Sequence, residues 1–279
     1  MNHVARRRAF SRLMKSLCGL CAVLSAAVLL VLLGYVLVKG IAYVNVEFLT
    51  ALPRPLGEPG GGMVNSFAGS AIMVALASVW AVAIGIGAGI FLAEYGTPRV
   101  CEFVRLVADV LAGLPSIVIG IFGYTLLVRP MGTFSAIAGA FALGIIMLPI
   151  VARTTEESLR LVPRDLQEAA LALGAPRWQA IVRVVLPCAM AGMMTGVMLA
   201  VARIAGETAP LIFTSLGNRF WNTGLTSPIA AVTLDIFQYA ISPYEQWHQQ
   251  AWAASFFLLA FVLTLNVGAR LVTRRYTVR

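Results

Sequence analysis

Charge is scarce in this chain. Asp, Glu, Lys and Arg make up 12% of its 279 residues, and 59% are hydrophobic, whereas an average soluble domain carries roughly 25% charge. A water-soluble protein this apolar could not cover its own surface. The class is therefore a polytopic membrane protein, and the length suits one bundle. Lysine is scarcer still, with only Lys15 and Lys39 present. No G-x-x-x-x-G-K-S/T phosphate loop occurs, so ATP cannot be held by that route. Cysteine is limited to Cys18, Cys21, Cys101 and Cys188, and histidine to His3 and His248. Cys18 and Cys21 have C-x-x-C spacing, but no second Cys or His pair completes a zinc shell. Lying inside an apolar run, they read as small helix-packing residues, and no metal is assigned. No Ser/His/Asp set or paired carboxylates suggest catalysis. No aromatic-basic interleaving of a nucleic-acid site accompanies the formal net charge of +9.

What the chain does have is long apolar runs. A spanning helix needs about 20 apolar residues. Six candidates qualify: 17–38, 67–93, 110–128, 133–152, 184–202 and 251–269. The first follows Arg6, Arg7, Arg8, Arg12 and Lys15. It is longer than the 7–15 apolar residues typical of a cleaved signal, and reads as an uncleaved anchor. Six spans leave both termini on one side. With that side cytoplasmic, sixteen of the 21 cations lie in inner segments and four in outer ones, with Arg203 inside the bundle. This asymmetry sets the orientation and accounts for the positive charge without any polyanionic partner. Outside lie a Gly/Pro-rich loop at 53–62 and a longer segment at about 207–250. Residues 228–241 of that segment are expected to form a helix at the outer surface or dipping into it. Asp109 sits one turn from Arg105 at the start of the third span. The two read as a structural i,i+4 pair, at the opposite depth from Arg203.

Two stretches carry more than topology. The first, 163–187, falls between two apolar runs on the cytoplasmic side. Pro163 suits the first position of a helix. Leu166, Ala169, Ala170 and Leu173 follow as an apolar stripe. Gly174 suits a left-handed cap, and Pro176 can open a second helix running towards Pro187. Such a helix could lie on its own bundle, or dock a soluble partner. The second stretch is Ala202-Arg203-Ile204-Ala205-Gly206-Glu207. Counted from Pro187, Arg203 lies roughly 24 Å into a core of about 30 Å, where an arginine costs about 2.5–3.5 kcal/mol and must face the bundle interior or water. Three readings stay open from the residues alone: a structural pair with Glu207, snorkelling to the interface, or a transient ligand for an anion. Pro115 interrupts the third span beside Ser116, so freed N–H groups there could face a polar path, or the proline could be a packing kink. Gly85/Gly89 and Gly192/Gly196 are G-x-x-x-G pairs and read as helix packing.

Glu168-Ala169-Ala170, three residues, Gly174, nine residues, then Val184-Val185-Leu186-Pro187 resembles the EAA loop of ABC importer permeases. Only Val184 departs from the pattern, conservatively, where the family has isoleucine. Residues 202–214, Leu111–Gly120 and Arg219–Asn222 resemble phosphate ABC importer permeases, and Ala209-Pro210-Leu211 is more like the PstA type than the PstC type. The resemblance implies an all-α polytopic bundle of six transmembrane helices with the type I permease fold. It implies an N-terminal part at 1–64 (basic segment, first helix and outer loop), a permease domain at 65–272, and a cytoplasmic tail at 273–279. It implies an inner-membrane subunit of an ATP-driven phosphate importer that carries no cofactor of its own. ATP and Mg would be bound by a partner ATPase, gripped through Glu168, Ala169, Ala170, Gly174, Leu186 and Pro187. Arg203 and Glu207 would line the path, with Pro115 and Ser116 expected beside it. The implied partners are a PstC-like second permease, two PstB-like ATPase subunits, a PstS-like binding protein, inorganic phosphate and membrane lipid. The rivals are a permease for another oxyanion (sulfate, molybdate), or a self-sufficient channel or secondary carrier.

Overall fold

The computed structural model of the protein describes residues 3–55 and 60–276. Residues 56–59 of the expected outer loop and 277–279 of the expected tail lie outside them. The described residues form eleven helices and no named strand. These are α1 (His3–Ile41), α2 (Val46–Thr50), α3 (Val64–Tyr95), α4 (Pro98–Gly113), α5 (Ser116–Met131), α6 (Ala136–Arg160), α7 (Arg164–Ala172), α8 (Arg177–Ala205), α9 (Ala209–Thr214), α10 (Val232–Ala240) and α11 (Glu245–Tyr276). By length and composition α1, α3, α6, α8 and α11 can each cross a membrane, and α4 with α5 makes a sixth, broken span.

That broken span corrects the third expected helix. Residues 110–128 are not continuous: α4 and α5 meet at 99°. The residue before a proline is pushed out of the α region, and Leu114 accordingly has φ −67° and ψ 136°. The new helix starts after Pro115. With 16 residues, α5 is about 24 Å long, short of a full hydrocarbon core.

Prolines also explain two of the three π-helical turns. An internal proline removes one i→i−4 bond and clashes with the carbonyl four residues back. Widening the helix just before it relieves that clash, and π turns are commonly single turns of this kind. Tyr124–Val128 precedes Pro130, and Ile181–Val185 precedes Pro187. The third, Phe91–Tyr95, ends α3 ahead of Gly96 and Pro98.

The core is organised around α6, with α3 and α8 packed on it through small residues. A Cβ on Gly85 would stand 2.8 Å from Val151 Cβ, and one on Gly89 would stand 2.5 Å from Thr155 Cβ. On the α8 side, Gly192 lies against Ser158 and Gly196 against Thr154. Both G-x-x-x-G pairs therefore dock on α6, where the missing side chains let the backbones approach. Ser135 caps α6, its Oγ accepting from the Ala138 N–H at 3.2 Å. By contrast α1 packs on α11, with Gly40 beneath Phe256 and Tyr35 edge-on to Trp252 at 5.3 Å. Cys18 and Cys21 are exposed on α1, so the packing expected of them is not made within this chain.

Helix α10 realises the helix expected in 228–241. Its Val232–Asp235 half is buried. The Val232 N–H donates to Ser70 Oγ at 2.9 Å, which places that end about two turns into α3.

Candidate functional site

At one end of the bundle α7 and the start of α8 form a hairpin. Pro163 is the residue before α7 rather than its first turn, with φ −58° and ψ 131°. Gly174 has φ +85°, a left-handed conformation that glycine adopts freely. The Ala175 N–H reaches the Ala170 carbonyl at 3.2 Å, the six-to-one bond of a Schellman ending. Pro176 then caps α8, which continues through Leu186 and Pro187 into the span. No residue of α7 is buried. Of the expected stripe, Leu166 and Ala169 are exposed, Ala170 is half-buried, and Leu173 is 90% exposed. The apolar stripe therefore does not lie on its own bundle. Glu168 is exposed.

Behind the hairpin is a cavity of about 840 Å³ lined by Glu94, Arg160, Arg164, Gln167, Glu168 and Arg177 together with apolar residues of α6 and α8. Gln167 Nε2 donates to Glu94 Oε2 at 2.8 Å. Arg177 donates to the Glu94 carbonyl, and its guanidinium lies 5.2 Å from the Tyr95 ring centre.

Arg203 sits in the last turn of α8, its side chain 56% exposed. Glu207 follows the helix end, 17% exposed, with its Oε1 3.7 Å from Arg203 Nη2. That separation is a loose ion pair, beyond hydrogen-bond range. The Glu207 carbonyl accepts from Thr233 Oγ1 at 2.9 Å, which pins the turn after α8 to α10. A second cavity, of about 140 Å³, brings Arg203 together with Ser116, Leu111, Leu114, Ile146 and Ile150. The break at Pro115 thus puts the N-terminus of α5 at the level of Arg203. Helix N-termini carry partial positive charge and N–H groups without intrahelical partners.

The expected Arg105–Asp109 pair is not formed. The 99° turn lays α4 against α6, and Arg105 reaches Glu156 instead, with Nε at 2.9 Å and Nη2 at 2.8 Å from its Oε1. Arg160 Nη2 meets the same oxygen at 2.8 Å. Asp109 faces Arg153 at 3.8 Å, and Arg153 also meets Glu157 at 3.4 Å. The Glu156 side chain is only 3% exposed, and a buried carboxylate needs such partners. The i,i+4 spacing of Glu156 and Arg160 was a signal for half of this cluster; nothing local points to Arg105.

Sequence reasoning also missed Asp235. It is buried on α10, outside the spanning helices, and accepts a hydrogen bond from Ser66. Burial pushes its carboxyl up from 3.8 to about 6, against the opposing pull of Ser66 and Arg219. Asn65 continues this polar network, donating to the Asn218 carbonyl at 2.5 Å.

Residues 85–278 match the family described as the binding-protein-dependent transport system inner membrane component. The chain belongs to that family. Similar curated members include the phosphate transport system permease protein PstA of Yersinia pestis, 46% identical over 84% of this chain and 80% of that protein. The protein of the same name from Haemophilus influenzae is 41% identical over 95% of this chain and 94% of its own length. Among solved structures, an inward-facing MetNI methionine ABC transporter chain superposes with TM-score 0.64 at 19% identity, over 77% of this chain and 98% of that one. A bacterial alginate ABC transporter chain in complex with its periplasmic protein gives TM-score 0.67 at 11% identity, over 97% and 98%. These two show the fold, that of ABC importer type I permeases; the family match and the apolar helices make the chain a multi-pass membrane protein. This inner membrane component is a subunit of an ABC transport complex.

Proposed function

We propose that this permease forms the translocation path of an ATP-driven importer of inorganic phosphate. The observation that carries the reading is Arg203. Its guanidinium is half in the open, held only loosely by Glu207, and shares a cavity with Ser116 at the start of α5. Forked guanidinium donors can meet two oxygens of a phosphate at once. The helix terminus and the Ser116 hydroxyl add donors of the right sign and chemistry. Glu207 competes for Arg203, which keeps anion binding weak enough for release. The relatives named as phosphate transport permeases support this choice of anion.

Power comes from outside the chain. A PstC-like permease would complete the path. Two PstB-like subunits would bind ATP and Mg, and a PstS-like protein would deliver phosphate at the face of α9 and α10. The exposed stripe of α7 supports docking of the ATPase there. The cation count supports a cytoplasmic hairpin with both termini on the same side. ATP binding moves the hairpin and opens the bundle outward; hydrolysis returns it.

The test is Arg203→Gln and Arg203→Lys in the assembled importer, with labelled phosphate and labelled sulfate measured side by side. Both variants are expected to insert and assemble, with phosphate uptake abolished. Normal phosphate uptake in both variants would overturn the role of Arg203. Uptake of sulfate in place of phosphate by the unaltered importer would overturn the choice of anion.

A further inference from the structure

We propose that Glu94 is the positioning residue through which the α7–α8 hairpin moves α3. The inference rests on the coupling role proposed above for that hairpin and names the contact that transmits the motion. Covalently, the hairpin continues only into α6 and α8. Its route to α3 is non-covalent: α3 packs on α6, Val185 and Leu186 of α8 share an apolar cluster with Ile86, Ile90 and Ala93 of α3, and α7 adds a polar contact of its own. α7 itself has no buried residue, and a cavity of about 840 Å³ lies between it and the end of α3.

What crosses that gap is polar, and it converges on one residue. Among the described residues, the only hydrogen bond from an α7 side chain is Gln167 Nε2 to Glu94 Oε2, at 2.8 Å. From the other arm, beyond the Gly174 turn, Arg177 donates to the main-chain carbonyl of the same Glu94 and lies over Tyr95. One residue therefore holds both arms, the first by its side chain and the second by its backbone. The carbonyl is available because α3 ends there: the last carbonyls of a helix have no intrahelical donor, and a cation at that end is favoured. The widened Phe91–Tyr95 turn carries Glu94 at the terminus of α3. Behind it, Gly85 and Gly89 lock α3 onto α6. A displacement of the hairpin applied at Glu94 thus moves α3 together with α6, as one body.

This arrangement makes an uncoupling prediction. In the complete importer in proteoliposomes, phosphate taken up per ATP hydrolysed is measured for the unaltered protein, Glu94→Ala, Gln167→Ala and Glu94→Gln. Each alanine variant is expected to lower the ratio about tenfold, the scale of one hydrogen bond to a charged group, while ATP hydrolysis continues. Glu94→Gln keeps an acceptor oxygen for Gln167 and is expected to restore the ratio. Position 167 lies on an unburied helix, so Gln167→Ala reads the tether even where Glu94→Ala assembles poorly. A merely structural role would lower the amount of complex and leave the ratio unchanged; an unchanged ratio in both alanine variants overturns the proposal. Absence of ATP-dependent phosphate uptake by the unaltered complex overturns the importer reading itself, and the tether with it.

Discussion

Arg203 and Asp235 are charged residues in apolar surroundings, and the sequence announced only one of them. Arg203 was visible because it interrupts an apolar run at membrane depth, and its i,i+4 spacing to Glu207 could be counted. Its neighbourhood could not: Ser116 is far away in sequence and arrives through a break whose 99° angle no periodicity encodes. Asp235 was hidden in a segment too short to be a span, and its burial depends on α3 and α11. Its titration gives a test at the residue scale. The carboxyl is raised from 3.8 to about 6, so between these values the folded protein holds a proton that the unfolded chain has lost. Stability is therefore full below the lower value and falls as pH rises through the upper one, by about 3 kcal/mol in all. Thermal unfolding in detergent is expected to show a higher midpoint at about pH 5 than at about pH 7.5, with Asp235→Asn removing most of the difference. An identical pH profile in the variant would contradict the assignment.

At the scale of elements, local signals worked where the cause is local. Gly174 and Pro176 punctuate the hairpin as their backbone preferences require, and Pro115 breaks the third span. The π turns were not read, although two of them stand directly before a proline-bearing turn, because the widening depends on how each helix is held at both ends. The G-x-x-x-G pairs were legible as packing motifs, but not their shared partner α6. That shared partner makes a specific claim. On Gly89 a Cβ would stand 2.5 Å from Thr155 Cβ and 2.7 Å from the Ala152 carbonyl, whereas nothing lies within 4 Å of the same position on Gly87. Gly89→Val is expected to cost about 1–3 kcal/mol or more by overpacking, lowering the thermal midpoint and the yield of folded protein. Gly87→Val on the same helix is expected to match the unaltered protein. Equal behaviour of the two would show that α3 does not lock onto α6 at this point.

For the whole molecule, scarcity of charge set the class, and the asymmetry of arginine set the expected orientation. Of the six apolar runs, five became helices long enough to cross a membrane and the sixth a bent pair that counts as a crossing only if its two halves form one span. Long-range ion pairs escaped because they are products of topology: Arg105 meets Glu156 only after α4 has turned against α6. The assembled picture is a bundle with α6 at its centre, a half-exposed guanidinium towards one face and an uncovered hairpin at the other. The chain's sequence holds no G-x-x-x-x-G-K-S/T phosphate loop. On the proposed function, an external ATPase acting on the α7–α8 hairpin drives phosphate across the membrane. The most direct measurement is labelled phosphate uptake into proteoliposomes holding the permease pair with its binding protein, with and without the ATPase subunits and ATP. The account predicts uptake only when ATPase and ATP are both present. Steady phosphate flux through the permease pair alone would contradict it.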